Sequence, residues 1–450
     1  MNYITAFDLG TTKVVGLVGE KTSYGCKVIA YSENPSQGVM RGEVVNILNV
    51  LNAMTPCIQD LQQKIGERIS KVYVGIAGQH IRSQAECNVI NRENNAEEIT
   101  WEEIHKLEQN MYASRVEPGE EILHVIPQCY HIDDQLEQRD PVGMMGKRIE
   151  ANYRLFIGRT NSAKHTERCI ERAGLKLERL ILEPLASAKA VLKEDEKELG
   201  VAMVDIGGGT TDLLIYYDNV IRHAAVIPFG GNVITEDIRQ GCGIPQRQAE
   251  QMKIQYGSCF AELAPAHRTI VVPGIGGREP REVSFKMLAN IIEARMSEIL
   301  DAVLYEIQNS GYADKLYAGI VLTGGGALMT HLDQLVKFKT GYDARIAKPA
   351  YVEEGNCPEV NHCAYSCAVG LLLKGFEYSS IHKEQVREPV RVENLFPDLP
   401  TVDPTSSSTK LSKDVSRRGA KTKNKPGIGT KVVTLFDDWF KKIEKIDNGA

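Results

Sequence analysis

The stretch Val201-Ala202-Met203-Val204-Asp205-Ile206-Gly207-Gly208-Gly209-Thr210-Thr211-Asp212, running straight into Leu213-Leu214-Ile215-Tyr216-Tyr217, decides the fold. It reads as an apolar strand ending on an acidic residue, a Gly/Thr turn, and a second apolar strand. The same order stands near the N-terminus, where Ile4 to Phe7 lead to Asp8-Leu9-Gly10-Thr11-Thr12-Lys13 and then Val14-Val15-Gly16-Leu17-Val18. The two aspartates lie 205 − 8 = 197 positions apart, a spacing that suits a duplicated domain and not a short solenoid repeat. Glycines let backbone N–H groups converge on an anion, and threonine hydroxyls add donors. An aspartate closing each strand can hold Mg2+, usually through water, beside phosphates. Two glycine-rich hairpins with capping carboxylates would give each turn alone; the matched pair favours phosphate.

A third glycine turn, Thr323-Gly324-Gly325-Gly326-Ala327, follows the apolar run Tyr317 to Leu322 and leads into a helical pattern from Leu328 to Phe338. The N-terminus of that helix is expected to favour an anion or a ribose hydroxyl. Between the second and third turns lie Pro228-Phe229-Gly230-Gly231-Asn232 and then a helix carrying Glu250 and Lys253. These two share a face at i, i+3, as a surface salt bridge or as a wall for a nucleoside.

The order of these pieces resembles the actin-like ATPases: phosphate turn, phosphate turn, adenosine turn. The resemblance implies an α/β fold of two duplicated lobes with Mg-ATP between them. Its nucleotide ligands would be Asp8, Gly10, Thr11, Thr12, Lys13, Asp205, Gly207, Gly208, Gly209, Thr210, Gly230, Gly231, Asn232, Glu250, Lys253, Gly324, Gly325 and Gly326, with Asp8 and Asp205 on Mg2+ through water. It extends to Leu182-Glu183-Pro184, where Glu183 would orient the attacking water as the catalytic residue, with Pro184 at the first helical position. A carboxylate complementing the helix dipole fits Glu183 as well.

Segments outside the cleft resemble the FtsA family of bacterial cell-division proteins over roughly residues 3 to 380. They are Ser36 to Asn46, Val74 to Ile81, and the string from His124-Val125-Ile126-Pro127 through Asp140-Pro141-Val142-Gly143 to Ala151. The last resembles the insert subdomain 1C, which that family carries in place of an actin subdomain. The resemblance divides the chain into lobe 1A (1–83, 161–197 and 364–382), insert 1C (84–160), lobe 2A (198–230 and 307–363), subdomain 2B (231–306), a disordered linker (383–430) and an amphipathic helix (431–447). It implies self-association into polymers, docking of the C-terminal peptide of FtsZ on 2B, and recruitment of later division proteins. It places the chain on the cytoplasmic side of the inner membrane at the division site. ATP binding is implied, while turnover stays open.

The bulk composition agrees with a globular chain of two or three domains: 450 residues, 42% hydrophobic, 25% charged. A net charge of -6 offers no global attraction to nucleic acid. Ten scattered cysteines and no basic-then-apolar leader predict a cytosolic chain with reduced thiols. Cys357, His362, Cys363 and Cys367 lack C-x2-C spacing, so idle or buried thiols are expected there rather than zinc. Gly143 to Arg148 faintly imitates a Walker A loop, but Arg148 stands where Ser or Thr must reach magnesium. Phe285, Leu288, Ile292, Met296, Ile299, Val303 and Ile307 form one apolar stripe, expected to be scaffold.

Past residue 382 the chain turns to Pro, Ser and Thr and then to basic residues, eight Lys or Arg against the single acid Asp414 between Lys410 and Lys431. The final helical pattern places Val432, Val433, Leu435, Phe436, Trp439, Phe440, Ile443 and Ile446 within an arc of roughly 160°, with charged residues opposite. Such a face could dock on its own domain; after a long flexible basic linker, an anionic membrane surface is the better fit. A phosphotransferase of the sugar-kinase or acetate-kinase type is the rival on the same fold, and a product assay would expose it.

Overall fold

Two five-stranded sheets repeat one topology. In the first, Tyr3–Leu9 lies at the centre, antiparallel to Lys13–Lys21, which pairs in turn with Cys26–Pro35; on its other side run Lys71–Ile76 and Lys176–Leu182, both parallel to it. The second places Val201–Ile206 at the centre, with Thr211–Tyr217 and Val220–Ile227 antiparallel on one side and Ile320–Thr323 and Ala344–Ile346 parallel on the other. The chain is thus an actin-like α/β fold, and the duplication expected from the two Asp-Gly turns extends to every strand of both sheets. The computed structural model describes residues 3–385 apart from 94–96, 136, 275, 277–278 and 354–356.

The central strands are apolar almost without alternation because helices cover both of their faces. Val201, Ala202, Met203, Val204 and Ile206 are all fully enclosed. One shared core joins the sheets through the helices Glu183–Val191 and Ser366–Gln385, where Leu185, Ala186 and Ala190 meet Val369, Leu371 and Leu372. Gly370 makes that crossing close, since a Cβ there would run into the carbonyl of Ala186. On the outer side of the first sheet, helix Ile47–Ile65 buries Met54, Cys57, Ile58 and Leu61, with Asn46 capping its N-terminus through Asn49 N–H at 3.1 Å. On the outer side of the second, helix Phe285–Asn309 lays its expected stripe into the core.

An insert interrupts the first lobe. Three antiparallel strands, Arg82–Asn91, Arg148–Arg159 and Glu120–Ile132 in that spatial order, carry helix Trp101–Tyr112 on one face. A complete capping box between Thr100 and Glu103 starts that helix. Gly143 to Arg148 runs directly into a strand and not a helix, so the Walker-like imitation lacks the N-terminus a phosphate loop needs. Among the described residues no helix is long and apolar enough to cross a membrane. The last described helix continues to Gln385. The basic linker and the face formed by Val432, Leu435, Phe436, Trp439, Phe440 and Ile443 lie outside the described residues.

Candidate nucleotide cleft

The two Gly/Thr turns face each other across a cavity of about 360 Å³. Gly208 lies against Thr12 and Gly209 against Thr11, and a Cβ on Gly208 would overlap the Thr12 hydroxyl. The turns are pinned from behind: Gly231 N–H donates to Gly207 O at 2.9 Å and Asn232 N–H to Gly208 O at 2.8 Å, which starts helix Gly231–Cys242 at the cleft. Gly324 holds φ at 83° under the Asp205 carboxylate, where a side chain would collide with Asp205 Oδ1.

Every residue expected at the nucleotide site lines this cavity except Gly230. Gly230 belongs behind the turn, where its Cα approaches the Gly207 and Gly208 carbonyls too closely for a side chain, so it spaces the backbone without facing the cleft. The third turn differs more. The helix expected from Leu328 begins only at Leu332, and the cleft-facing segment is a short 3-10 turn, Gly325–Leu328. His331 sits in the left-handed region at φ 63°, which ends any continuous helix through Met329 and Thr330. Pro184 occupies the second helical position, one later than expected, because Glu183 already begins the helix.

Glu250 and Lys253 are not a surface pair. Lys253 is 8% exposed, and its ammonium meets Glu250 at 2.8 Å, the Gly231 carbonyl at 2.9 Å and Thr235 Oγ1 at 2.8 Å. Met296, expected as scaffold only, also walls the cleft beside Ile234, Ile254 and Met329, an apolar end suited to a planar ring.

Carboxylates gather at the other end. Burial, with Asp205 adding repulsion, pushes Asp8 up to about 6; burial pushes Asp205 to about 6 against the Ser187 hydroxyl that donates to it. Glu183 and Asp212 are held well above the usual range by burial and then by the neighbouring carboxylates. Asp212 Oδ1 is buried with no hydrogen-bond partner among the described residues. Four acids that repel one another, one with an orphaned oxygen, form a donor set that suits a hard divalent cation. Lys13, the cation that offsets this repulsion at Asp8, is turned to Glu33 at 3.2 Å and stacked 3.4 Å over the Tyr365 ring.

Asp212 is a site residue that the sequence reading did not single out, and Cys367, expected there only as an idle or buried thiol, also lines the cleft. Asp212 was legible as the acid that follows the Thr210-Thr211 pair into an otherwise apolar strand. Nothing in the sequence tied Cys367 to the cleft; its thiol lies with the Asp8 and Glu183 carboxylates within 4.8 Å of one another. Burial, then the surrounding carboxylates, holds that thiol well above its ordinary range.

Residues 202–370 match the family described as "Cell division protein FtsA", and residues 78–157 match the "SHS2 domain inserted in FTSA". The protein called cell division protein FtsA in Pseudomonas aeruginosa is 40% identical over 378 residues, covering 84% of this chain and 90% of its own. Its namesakes in Neisseria meningitidis and Escherichia coli are 39% and 36% identical, covering 82% and 83% of this chain and 89% and 90% of theirs. Among solved structures, a chain of the PilM-PilN type IV pilus biogenesis complex superposes with a TM-score of 0.58 at 14% identity, over 83% of this chain and 98% of that one. MreB5 of Spiroplasma citri bound to ADP gives 0.52 at 16% identity, over 86% and 99%.

Proposed function

The chain belongs to the FtsA family of cell-division proteins, and from that premise we propose that it binds Mg-ATP in the cleft and anchors the FtsZ polymer to the cytoplasmic membrane. The observation that carries the cleft reading is the meeting of two Gly/Thr turns around four converging carboxylates. Backbone N–H groups of Gly10 to Lys13 and Gly207 to Thr210 would cradle the phosphates, and Asp8 and Asp205 would hold Mg2+ through water. The nucleoside would lie along Gly231, Asn232, Glu250, Lys253 and the turn Gly324 to Gly326. Glu183 stands at the helix start beside Asp8, where it would orient a water for in-line attack. The fold neighbour bound to ADP supports the same reading.

The anchoring half rests on the sequence of the tail. A single interfacial helix at 431–447 binds reversibly, and many tails on one polymer bind firmly because each further tail acts at high effective concentration. Subdomain 2B (231–306) would receive the C-terminal peptide of FtsZ. Co-sedimentation with vesicles containing anionic lipid, in the presence of ATP and FtsZ, tests the reading. The full chain should carry FtsZ into the pellet, and truncation after Lys431 or Trp439→Glu should leave both in solution. If the truncated chain pellets as before, the tail is not the anchor.

A further inference from the structure

The insert gathers a second group of side chains with metal-ligating atoms, different in character from the carboxylate cleft. Tyr130 and Gln138 exchange both backbone hydrogen bonds, each at 2.8 Å, as an antiparallel bridge. Stepping one residue outward on each side sets His131 opposite Glu137, and Cys129 shares their face because it lies two residues from His131 along the strand. The opposite face of this sheet is committed to the core, where Tyr130, Ile132, Ala151 and Tyr153 pack with Leu107 and Met111. Cys129, His131 and Glu137 are therefore free of structural duty in the core. Cys129 Sγ lies 3.9 Å from His131 Nε2, and ligand atoms of all three residues fall within 4.8 Å of one another.

We propose that Cys129, His131 and Glu137 form a binding site for a zinc-class divalent cation on the outer face of the insert. Thiolate, imidazole and carboxylate together suit zinc, whereas Mg2+ and Ca2+ take oxygen ligands alone. Bonds of about 2.3 Å to sulfur and about 2.0–2.2 Å to nitrogen and oxygen put tetrahedral ligands about 3.3–3.6 Å apart, a few tenths inside the present cysteine–histidine spacing. Surrounding groups favour the charged site. Asn152, opposite Cys129 on the middle strand, donates from Nδ2 to Cys129 Sγ at 3.4 Å, as an outer partner that steadies a thiolate. Glu150 stands opposite His131 and adds a second carboxylate, paired to Arg148. Three protein ligands leave the fourth tetrahedral position to water. The bound ion would tie Glu137 to the strand Glu120–Ile132 and release the thiol proton, so affinity rises with pH.

Cobalt(II) is the probe, titrated into the full-length chain in saturating Mg2+ so that oxygen-only sites are filled. One equivalent should give tetrahedral visible bands with a thiolate-to-cobalt charge-transfer band, and Zn2+ should displace them. Cys129→Ser should abolish the charge-transfer band, and His131→Gln should weaken cobalt binding by at least the ten- to hundredfold seen for outer-partner losses. Cys367→Ser, which alters the thiol in the cleft, should leave the spectrum unchanged. Circular dichroism on each variant verifies that the insert is folded. A wild-type chain without the band, or a band that survives Cys129→Ser and disappears with Cys367→Ser, would overturn the proposal.

Discussion

The two hairpins share a strand register and differ in charge. Each turn spans four residues between its last paired positions, Gly10 to Lys13 in one and Gly207 to Thr210 in the other. The turn of the first ends on a lysine and that of the second on a threonine. Opposite Asp8 stands Val15, and opposite Asp205 stands Asp212. Duplication therefore supplied one backbone cradle twice, while divergence put a cation on one side and an extra acid on the other. An asymmetric ligand such as a Mg-nucleotide has use for that difference, because phosphates and cation need opposite charges nearby.

Glu183 tests whether the halves act on one reacting group. Its carboxyl belongs to the first lobe and is held up by burial, then by Asp8, Asp212 and Asp205. Glu183→Ala should slow single-turnover ATP hydrolysis by about a hundredfold while ATP still binds. Equal loss of binding in the variant would return Glu183 to helix capping.

Asp212 is the sharper probe of the asymmetry. Asp212→Asn removes one of four crowded acids and keeps the shape, so the cation-free chain should gain about 1–3 kcal/mol in thermal unfolding. The same variant should bind Mg2+ more weakly. A lower Tm would mean that Asp212 is satisfied where it stands. The wild-type pH dependence follows from the same crowding. Asp8 and Asp205 are raised to about 6, above their unfolded values, so their protonated forms favour the folded state below those values and that advantage is lost as pH rises through about 6. Without divalent cation, Tm should climb as pH falls from about 7.5 to about 5.5, and Mg-ATP should flatten the slope.

The smallest effect belongs to the other hairpin. Lys13 is partly exposed, at 29% for its side chain, and its partner Glu33 is at 41%. Lys13→Ala should change stability by less than about 1 kcal/mol, read by urea denaturation. A larger loss would show that the stacking on Tyr365 holds the lobe together.

Much of this cleft was legible because its chemistry is carried by contiguous backbone. Asp8 to Lys13 and Asp205 to Thr210 announce themselves as turns, and the strands beside them follow from unbroken apolar runs. Residues that reach the cleft from distant elements left no such trace. Met296 sits on a helical stripe whose spacing describes burial equally well. Cys367 arrives on a helix 367 − 12 = 355 positions after Thr12, and no local pattern ties the two. The end of the third turn misled for a different reason. Leu328, Leu332, Leu335 and Val336 keep helical spacing, yet His331 breaks the backbone between them, and periodicity does not register a left-handed residue.

The central claim is that both hairpins serve one Mg-nucleotide. Isothermal titration of ATP into the wild-type chain and Asp205→Ala, each with and without Mg2+, tests it most directly. The account predicts that Mg2+ tightens ATP binding in the wild type and that Asp205→Ala removes most of that gain, a loss of about ten- to a hundredfold. An Asp205→Ala chain that binds ATP with unchanged affinity and unchanged magnesium dependence would contradict it.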